Sequence, residues 1–483
     1  MHISLLWQKG VFLLQGGDMQ QQLKTIFEGQ KAQRQQTGVP SVQERIAYLK
    51  KLKYSIQQRE SAVFNALALD LRKSEFEAAV TEVYFIYSEI DFAIRHLRHW
   101  TRPKRTKSTL SNLFTKNRIT YQPKGTCLVI APWNYPFQLT MGPLISALAA
   151  GNTVMIKPSE YSIHTSNIIF EILSAVFDPS LVYCALGDQE ISTTLLALPF
   201  DHIFFTGSTQ VGQIVMQAAA KHLSSVTLEL GGKSPVLIDR DTDLQKVAEK
   251  VAWGKLLNAG QTCIAPDYLL IQQSQEEQFI QFFQAAVTRF IYKPSGAIDT
   301  DSYPKIITPK HLSRLQQLTD DACTRGACIA WKGTGDSKDT FAPTVLQNVP
   351  LDSRVMQEEI FGPILPIITY NTLEEAIKFV QDRPKPLALY IFSNSTKTTD
   401  HVLKNVSSGG ACVNDVILHV SNLHLPFGGV NHSGTGSSHG YFGFKAFSHE
   451  RSIMYQSKFG LSQLIYPPYT DKGRLLKWLK RLM

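Results

Sequence analysis

The chain of 483 residues is short of several things, and each absence narrows what it can be. Cysteine is sparse: six thiols, at 127, 184, 263, 323, 328 and 412, are scattered without framework spacing. That excludes a disulfide-stapled secreted scaffold and suits a reducing compartment, where a lone thiol is packed or catalytic. Cys323 and Cys328 are the closest pair, but no second Cys/His pair accompanies them at zinc-finger spacing. They read as ordinary helix or loop residues, and no metal site is expected. Long apolar runs are missing as well; none reaches the roughly 18 residues of a membrane-spanning helix. Residues 3–14 are apolar but broken by Ser4, Gln8, Lys9 and Gly10, with no basic stretch before them and no clean cleavage site. They make a poor signal peptide. Met19 stands just before a strongly helical segment, so residues 1–20 are expected to be an N-terminal extension, with Met1 and Met19 both open as the start. No repeat of fixed period is evident, which excludes a solenoid. The formal charge of +9 comes without zinc-finger spacing or an aromatic RNA-binding motif. Its excess sits in Arg102-Pro103-Lys104-Arg105-Thr106-Lys107 and at the C-terminus, and is read as solvated basic surface with no nucleic-acid partner.

What is present describes a globular enzyme-sized chain. With 43% hydrophobic and 18% charged residues, it has material for more than one domain with a proper core. From about Gln20 to Trp100 apolar residues recur at helical spacing, as in Val63, Leu67 and Leu71. From Gly125 the texture changes. Short β-rich runs (126–131, 153–156, 181–185, 202–205 and 226–228) alternate with helical patterns such as 141–150 and 165–177. This alternation argues for an α/β fold of βαβ units, a parallel sheet with helices on both faces. A new β run at 235–238 and a helix over about 244–253 open a second α/β region, with a boundary expected near Glu229–Gly232.

Chemistry is concentrated at the expected strand ends. Glu229 closes one strand and abuts Gly231 and Gly232, where backbone can approach closely; it is a candidate base, although a lone strand-end Glu is usually solvated. Cys263 ends the polar loop Asn258-Ala259-Gly260-Gln261-Thr262 and is a candidate nucleophile. No adjacent Lys, Arg or His lowers its thiol pKa from about 8.5, so activation must come through space, from a base or a bound cofactor. The run Phe205-Thr206-Gly207-Ser208-Thr209-Gln210-Val211-Gly212 passes from strand to helix and can hold a pyrophosphate on helix N–H groups. A capped helix with nothing bound is the equal alternative. Pro132-Trp133-Asn134-Tyr135-Pro136 ends another strand, and the Asn134 amide can donate to a developing oxyanion. Lys157-Pro158-Ser159-Glu160 ends the next, where Lys157 and Glu160 can hydrogen-bond a nucleotide ribose.

Together these stretches resemble the NAD(P)-dependent aldehyde dehydrogenase superfamily, and are most similar to its class 3, fatty-aldehyde branch. The resemblance runs from about residue 21 to Pro468 and adds Glu359-Ile360-Phe361-Gly362-Pro363 and Leu425-Pro426-Phe427-Gly428-Gly429. Ala265-Pro266-Asp267-Tyr268 and Phe447-Ser448-His449 favour class 3. It implies an aldehyde dehydrogenase-like fold: an atypical Rossmann cofactor domain (21–104 and 125–229), an α/β catalytic domain (230–425) and bridging or oligomerisation segments (105–124 and 426–470). It implies that Cys263 attacks the aldehyde, that Asn134 and the Cys263 N–H hold the oxyanion, and that Glu229 activates water to release the acid. The cofactor, NAD and/or NADP, is implied to contact Trp133, Lys157, Ser159, Glu160, Gly207, Ser208, Val211, Gly231, Glu359 and Phe361. Glu160 can repel a 2′-phosphate, but class 3 relatives use both cofactors. Retention of Glu229 favours hydrolysis over acyl transfer to coenzyme A, and a homodimer is expected. One departure stands out: Asn431-His432-Ser433-Gly434 follows Val430 where the family usually continues with Gly and Asn, near the expected aldehyde entrance.

Two rival readings remain. Gly436-Ser437-Ser438-His439-Gly440 fits the G-x-S-x-G pattern of a serine hydrolase, although no strand is expected to lead into it and no helix clearly to follow. A non-catalytic binding protein on the same fold is the other, against which intact Cys263, Glu229 and Asn134 count. Residues 471–483 form a basic amphipathic pattern, with Leu475, Leu476, Trp478, Leu479, Leu482 and Met483 opposite Arg474, Lys477, Lys480 and Arg481. A helix of this kind lies on an anionic membrane or packs on its own protein. The expected location is cytoplasmic, peripheral to a membrane if the helix binds one.

Overall fold

The computed structural model describes residues 17–109, 112–458, 463, 466–470 and 472–482. Most of the expected N-terminal extension therefore lies outside the described residues; from Gly17 a helix runs to Thr37. Helices Val42–Gln58 and Glu60–Leu71 follow, the first opened by a reciprocal Ser41/Glu44 capping box. A short helix Glu75–Ala78 passes through a π-helical turn, Ala79–Val83, into the amphipathic helix Tyr84–Trp100.

Among the described residues there are three sheets. The first has six strands in the order Gly434–Thr435, Ser225–Glu229, His202–Thr206, Thr126–Ile130, Thr153–Lys157 and Val182–Cys184. All neighbours are parallel except the first pair, in which Gly434 lies opposite Glu229. Three of these strands are buried at every residue, as a parallel sheet covered on both faces requires. One face packs into a core that includes Ile86, Ile90, Val129 and Leu144, and the other into one that includes Phe27, Leu128, Ile203 and Val215. Parallel register brings the carboxyl ends of four adjacent strands, at Ile130, Lys157, Thr206 and Glu229, to one edge. Ligand crevices of open α/β sheets form at that edge.

Beyond Glu229 the chain enters a seven-stranded sheet ordered Cys328–Lys332, Thr344–Gln347, Ile364–Tyr370, Tyr268–Gln272, Pro235–Ile238, Ala388–Phe392 and Gly410–Val413. It is parallel except at the Cys328–Lys332 edge. Cys328 thus opens a strand instead of lying in a helix or loop, while Cys323 is helical. A third, antiparallel sheet joins Lys104–Thr106, Lys116–Pro123 and Ser448–Tyr455. The last helix, Gly473–Leu482, exposes Leu476, Lys477 and Lys480; the side chains of Leu475, Trp478, Leu479, Arg481 and Leu482 lie outside the described set, as does Met483. Among the described residues, no helix is long and apolar enough to cross a membrane.

Candidate active site

Helix Leu244–Leu256 gives way to a turn in which Asn258, Ala259 and Gly260 all take left-handed backbone, with φ of 51°, 52° and 76°. Three such residues in a row persist only where surroundings hold them. Gly260 is required twice over: besides its φ, an added Cβ would stand 2.5 Å from the Gly362 carbonyl oxygen. Gln261 locks the turn from beyond, donating to the Asn258 and Lys305 carbonyls (both 3.0 Å) and accepting from Ile307 N–H (3.0 Å). Thr262 shares a 2.7 Å hydrogen bond with the Tyr135 hydroxyl. Cys263 emerges from this clamp only partly buried.

Cys263 and Glu229 line one cavity, whose walls include Phe85, Leu139, Phe204 and Phe427. Glu229 is 5% exposed and neither carboxyl oxygen has a hydrogen-bond partner. Burial pushes its pKa up to about 7, outweighing the opposing influence of nearby Ser438 and His439. Burial likewise pushes the Cys263 thiol up, and the Glu359 and Glu229 carboxyls push it further in the same direction. The backbone N–H groups of Cys263 and Ile264 oppose this shift without overcoming it.

Asn134 is buried against the turn that precedes Cys263. Its Nδ2 donates to the Gln261 carbonyl (3.0 Å), and its own carbonyl accepts from Asn258 Nδ2 (2.8 Å). An amide nitrogen carries two hydrogens, so one remains for another acceptor.

A second group forms beside this one. The Gly231 backbone lies against the Glu359 carboxyl so closely that a Cβ would collide with it. Glu359 Oε1 is buried without a partner, and burial, reinforced by Asp267, raises the pKa to about 8. Phe361 (φ 52°) and Trp133 meet edge-on at 5.4 Å between ring centres. Lys157 is 2% exposed and its ammonium donates to Glu160. Ser159 Oγ accepts from Tyr161 N–H at 3.3 Å. Ser208 caps helix Thr209–Ala220, accepting from Val211 N–H at 3.4 Å, and Val211 is exposed. Gly207 lies against the Phe205 ring. None of these cofactor candidates lines the Cys263–Glu229 cavity.

Several site residues carry no sequence signal of their own. Lys233 pairs with Asp267 and donates to the Val355 (2.7 Å) and Glu358 (3.0 Å) carbonyls, while Asp267 accepts from Ile360 N–H (2.9 Å). These bonds carry the strand-to-strand crossing that presents Glu359. Ser438 does have a short strand before it and a helix, Gly440–Ala446, after it, contrary to expectation. Its hydroxyl nevertheless donates to the Phe427 carbonyl (3.2 Å), and the adjacent His439 bonds Glu89 (2.9 Å). That is no nucleophile–base pair.

Residues 15–453 match the aldehyde dehydrogenase family. The chain belongs to the aldehyde dehydrogenase family. It is 44% identical over 439 residues to aldehyde dehydrogenase family 3 member A2 of Rattus norvegicus, covering 90% of this chain and 89% of that one. It is 42% identical over 430 residues to the 4,4′-diaponeurosporen-aldehyde dehydrogenase of Staphylococcus aureus, covering 89% and 93%. A substrate-bound structure of Staphylococcus aureus AldH superposes with a TM-score of 0.90 at 40% identity, over 95% of this chain and 99% of that one. The class 3 resemblance and the α/β aldehyde dehydrogenase fold hold, and the protein is an enzyme that oxidises aldehydes to acids.

Proposed function

We propose that this aldehyde dehydrogenase oxidises apolar aldehydes, medium- to long-chain or polyene, to carboxylic acids with NAD(P)+, through a covalent Cys263 intermediate. The observation that carries the reading is the shared cavity: a thiol and an unpaired buried carboxyl face one space walled by aromatic and aliphatic side chains. The relative named for diaponeurosporen-aldehyde supports a polyene substrate.

The residues fit a nicotinamide dinucleotide. Glu359 Oε1, buried and unpartnered, suits a ribose hydroxyl; the edge-on Trp133 and Phe361 rings suit an aromatic ring. Gly207, Ser208 and the first turn of helix Thr209–Ala220 suit a pyrophosphate, with exposed Val211 beside it. Lys157, Ser159 and Glu160 stand at the next strand end for the other ribose, and Gly231 leaves room for Glu359. Bound NAD(P)+ supplies a hydride acceptor. The Cys263 thiol gives its proton to Glu229, which passes it to water, and the thiolate Sγ bonds to the aldehyde carbon while the carbonyl oxygen becomes an oxyanion. The free Asn134 N–H and the Cys263 N–H hold that oxyanion. Loss of hydride from the carbon leaves a thioester. Glu229 then takes a proton from water as its oxygen attacks, and the C–S bond breaks to give the acid and free Cys263.

The test is kcat/KM over short, long-chain and polyene aldehydes with each cofactor, repeated with Cys263→Ala. A preference for long apolar chains and loss of activity in the variant are expected, as is no acyl-CoA when coenzyme A is supplied. No NAD(P)H with any aldehyde, or esterase turnover that survives Cys263→Ala and is lost with Ser438→Ala, would overturn the reading.

A homodimer belongs to the same proposal. It is supported by the outer edge of Ser448–Tyr455, which pairs with no further strand among the described residues and where Met454 and Tyr455 are exposed. Peripheral membrane binding through helix Gly473–Leu482 is supported by its basic sequence and exposed Leu476.

A further inference from the structure

A lysine and two carboxylates on the N-terminal helices stand outside every sequence motif, yet they touch both loops of the site. Lys73 follows helix Glu60–Leu71, whose end is turned by Arg72 at φ 55°. Its fully buried ammonium lies 2.5 Å from Glu82 Oε1, 3.0 Å from the Asn134 carbonyl and 3.8 Å over the Tyr135 ring. Glu82, also fully buried, sits in the π-helical turn, and its second oxygen accepts from Phe137 N–H (2.9 Å) and Gln138 N–H (3.0 Å). One ion pair thereby fixes the backbone on both sides of Tyr135, whose hydroxyl reaches Thr262, next to the nucleophile. From the same helical stretch Glu77 accepts from Asn258 N–H (3.0 Å), in the left-handed turn. Asn258 Nδ2 in turn bridges the Asn134 (2.8 Å) and Gln261 (3.2 Å) carbonyls.

Stability is a weak reason to keep such a pair, because desolvating two charges offsets most of their attraction and apolar residues of equal volume pack as well. What apolar residues lack is direction. Four hydrogen bonds and one ring contact here act on a five-residue loop and the turn facing it.

We propose that Lys73 and Glu82 are positioning residues, which hold the Asn134 amide in register with the Cys263 turn so that one N–H is spent on Gln261 and the other is left for the aldehyde oxygen. The proposal rests on the reading of Cys263 as the nucleophile. A displacement of about 1 Å at a reacting group can cost roughly 10²-fold in rate without any change in what is bound.

The experiment is rapid mixing of enzyme, cofactor and a saturating long-chain aldehyde, following the burst of NAD(P)H that reports acylation. Glu82→Gln keeps an acceptor for the two amides and removes the charge that holds Lys73. Its burst should slow by about 10- to 100-fold, with cofactor Kd unchanged by fluorescence titration. In an Asn134→Ala background the same substitution should add less than about twofold, because the group it positions is already gone. A folded Glu82→Gln enzyme with a wild-type burst rate, or one that loses the same factor in both backgrounds, overturns the proposal. Should that variant not fold, Lys73→Arg is subject to the same two criteria. A Cys263→Ala enzyme that still forms NAD(P)H from the aldehyde at the wild-type rate would instead overturn the nucleophile assignment, and the positioning role with it.

Discussion

Glu229 holds its proton up to about pH 7 because burial disfavours its charged form more than Ser438 and His439 favour it. A carboxyl raised in this way is neutral, and useless as a base, below its pKa. Deacylation should therefore climb as pH passes through about 7. In Glu229→Gln that limb should vanish from the steady-state profile, while the NAD(P)H burst survives and turnover drops by roughly 10²- to 10⁴-fold. A pH profile unchanged by the substitution would remove Glu229 from the base role. Glu359 makes a prediction about stability. Its folded pKa of about 8 stands above the ordinary 4.5, so the folded state binds the proton more tightly. The resulting stability is full at pH below 4.5 and is lost as pH rises through about 8. Glu359→Gln should melt above the wild type at pH 9, where the wild type must bury a charge, and should lose that advantage at pH 5. Calorimetry at the two pH values decides it.

At the scale of elements, the strand ends carried most of what the sequence revealed. Trp133, Lys157, Gly207 and Glu229 lie at carboxyl ends of adjacent parallel strands, and alternating β and helical patterns are enough to place such ends. The helical reading of residues 20–100 also held, although its breaks and its π-helical turn left no mark in the apolar spacing. Lys73, Glu77 and Glu82 were invisible for a physical reason. Charged residues between helical apolar positions look like a solvated face, and only the loop folded over them makes Lys73 and Glu82 interior and Glu77 half-buried. Lys233 and Asp267 escaped in the same way, being parts of motifs read for their neighbours. The close approaches of the two crossing segments can be tested with single methyl groups. Gly231→Ala should press on the tip of a side chain, Glu359, and raise KM for the cofactor several-fold while the fold persists. Gly260→Ala should press on the Gly362 backbone in a left-handed conformation, and lose acylation and stability together. Equal effects from the two substitutions would contradict this distinction.

For the molecule as a whole, the cavity and the helix proposed to bind a membrane occupy separate parts of the chain. Among the described residues, those lining the cavity run from Phe85 to His439 and none comes from the basic helix Gly473–Leu482. Deleting residues 471–483 should leave kcat/KM for a soluble aldehyde within about twofold and abolish sedimentation with phosphatidylserine liposomes, an interaction that salt should also weaken. Unchanged liposome binding after the deletion would assign the helix to packing on its own protein.

The two-residue strand Gly434–Thr435 lies along the outer side of the Glu229 strand, and the chain beside it supplies Phe427, Ser438 and His439 to the cavity wall. During synthesis Cys263 and Glu229 therefore leave the ribosome long before the wall that shields them. Until the last tenth of the chain arrives, Glu229 borders an open sheet edge and stays wet, where a carboxyl keeps an ordinary pKa. Activity should consequently appear abruptly and late as the chain lengthens, and a product stopped before residue 430 should be inert even with Cys263, Glu229 and Asn134 all present.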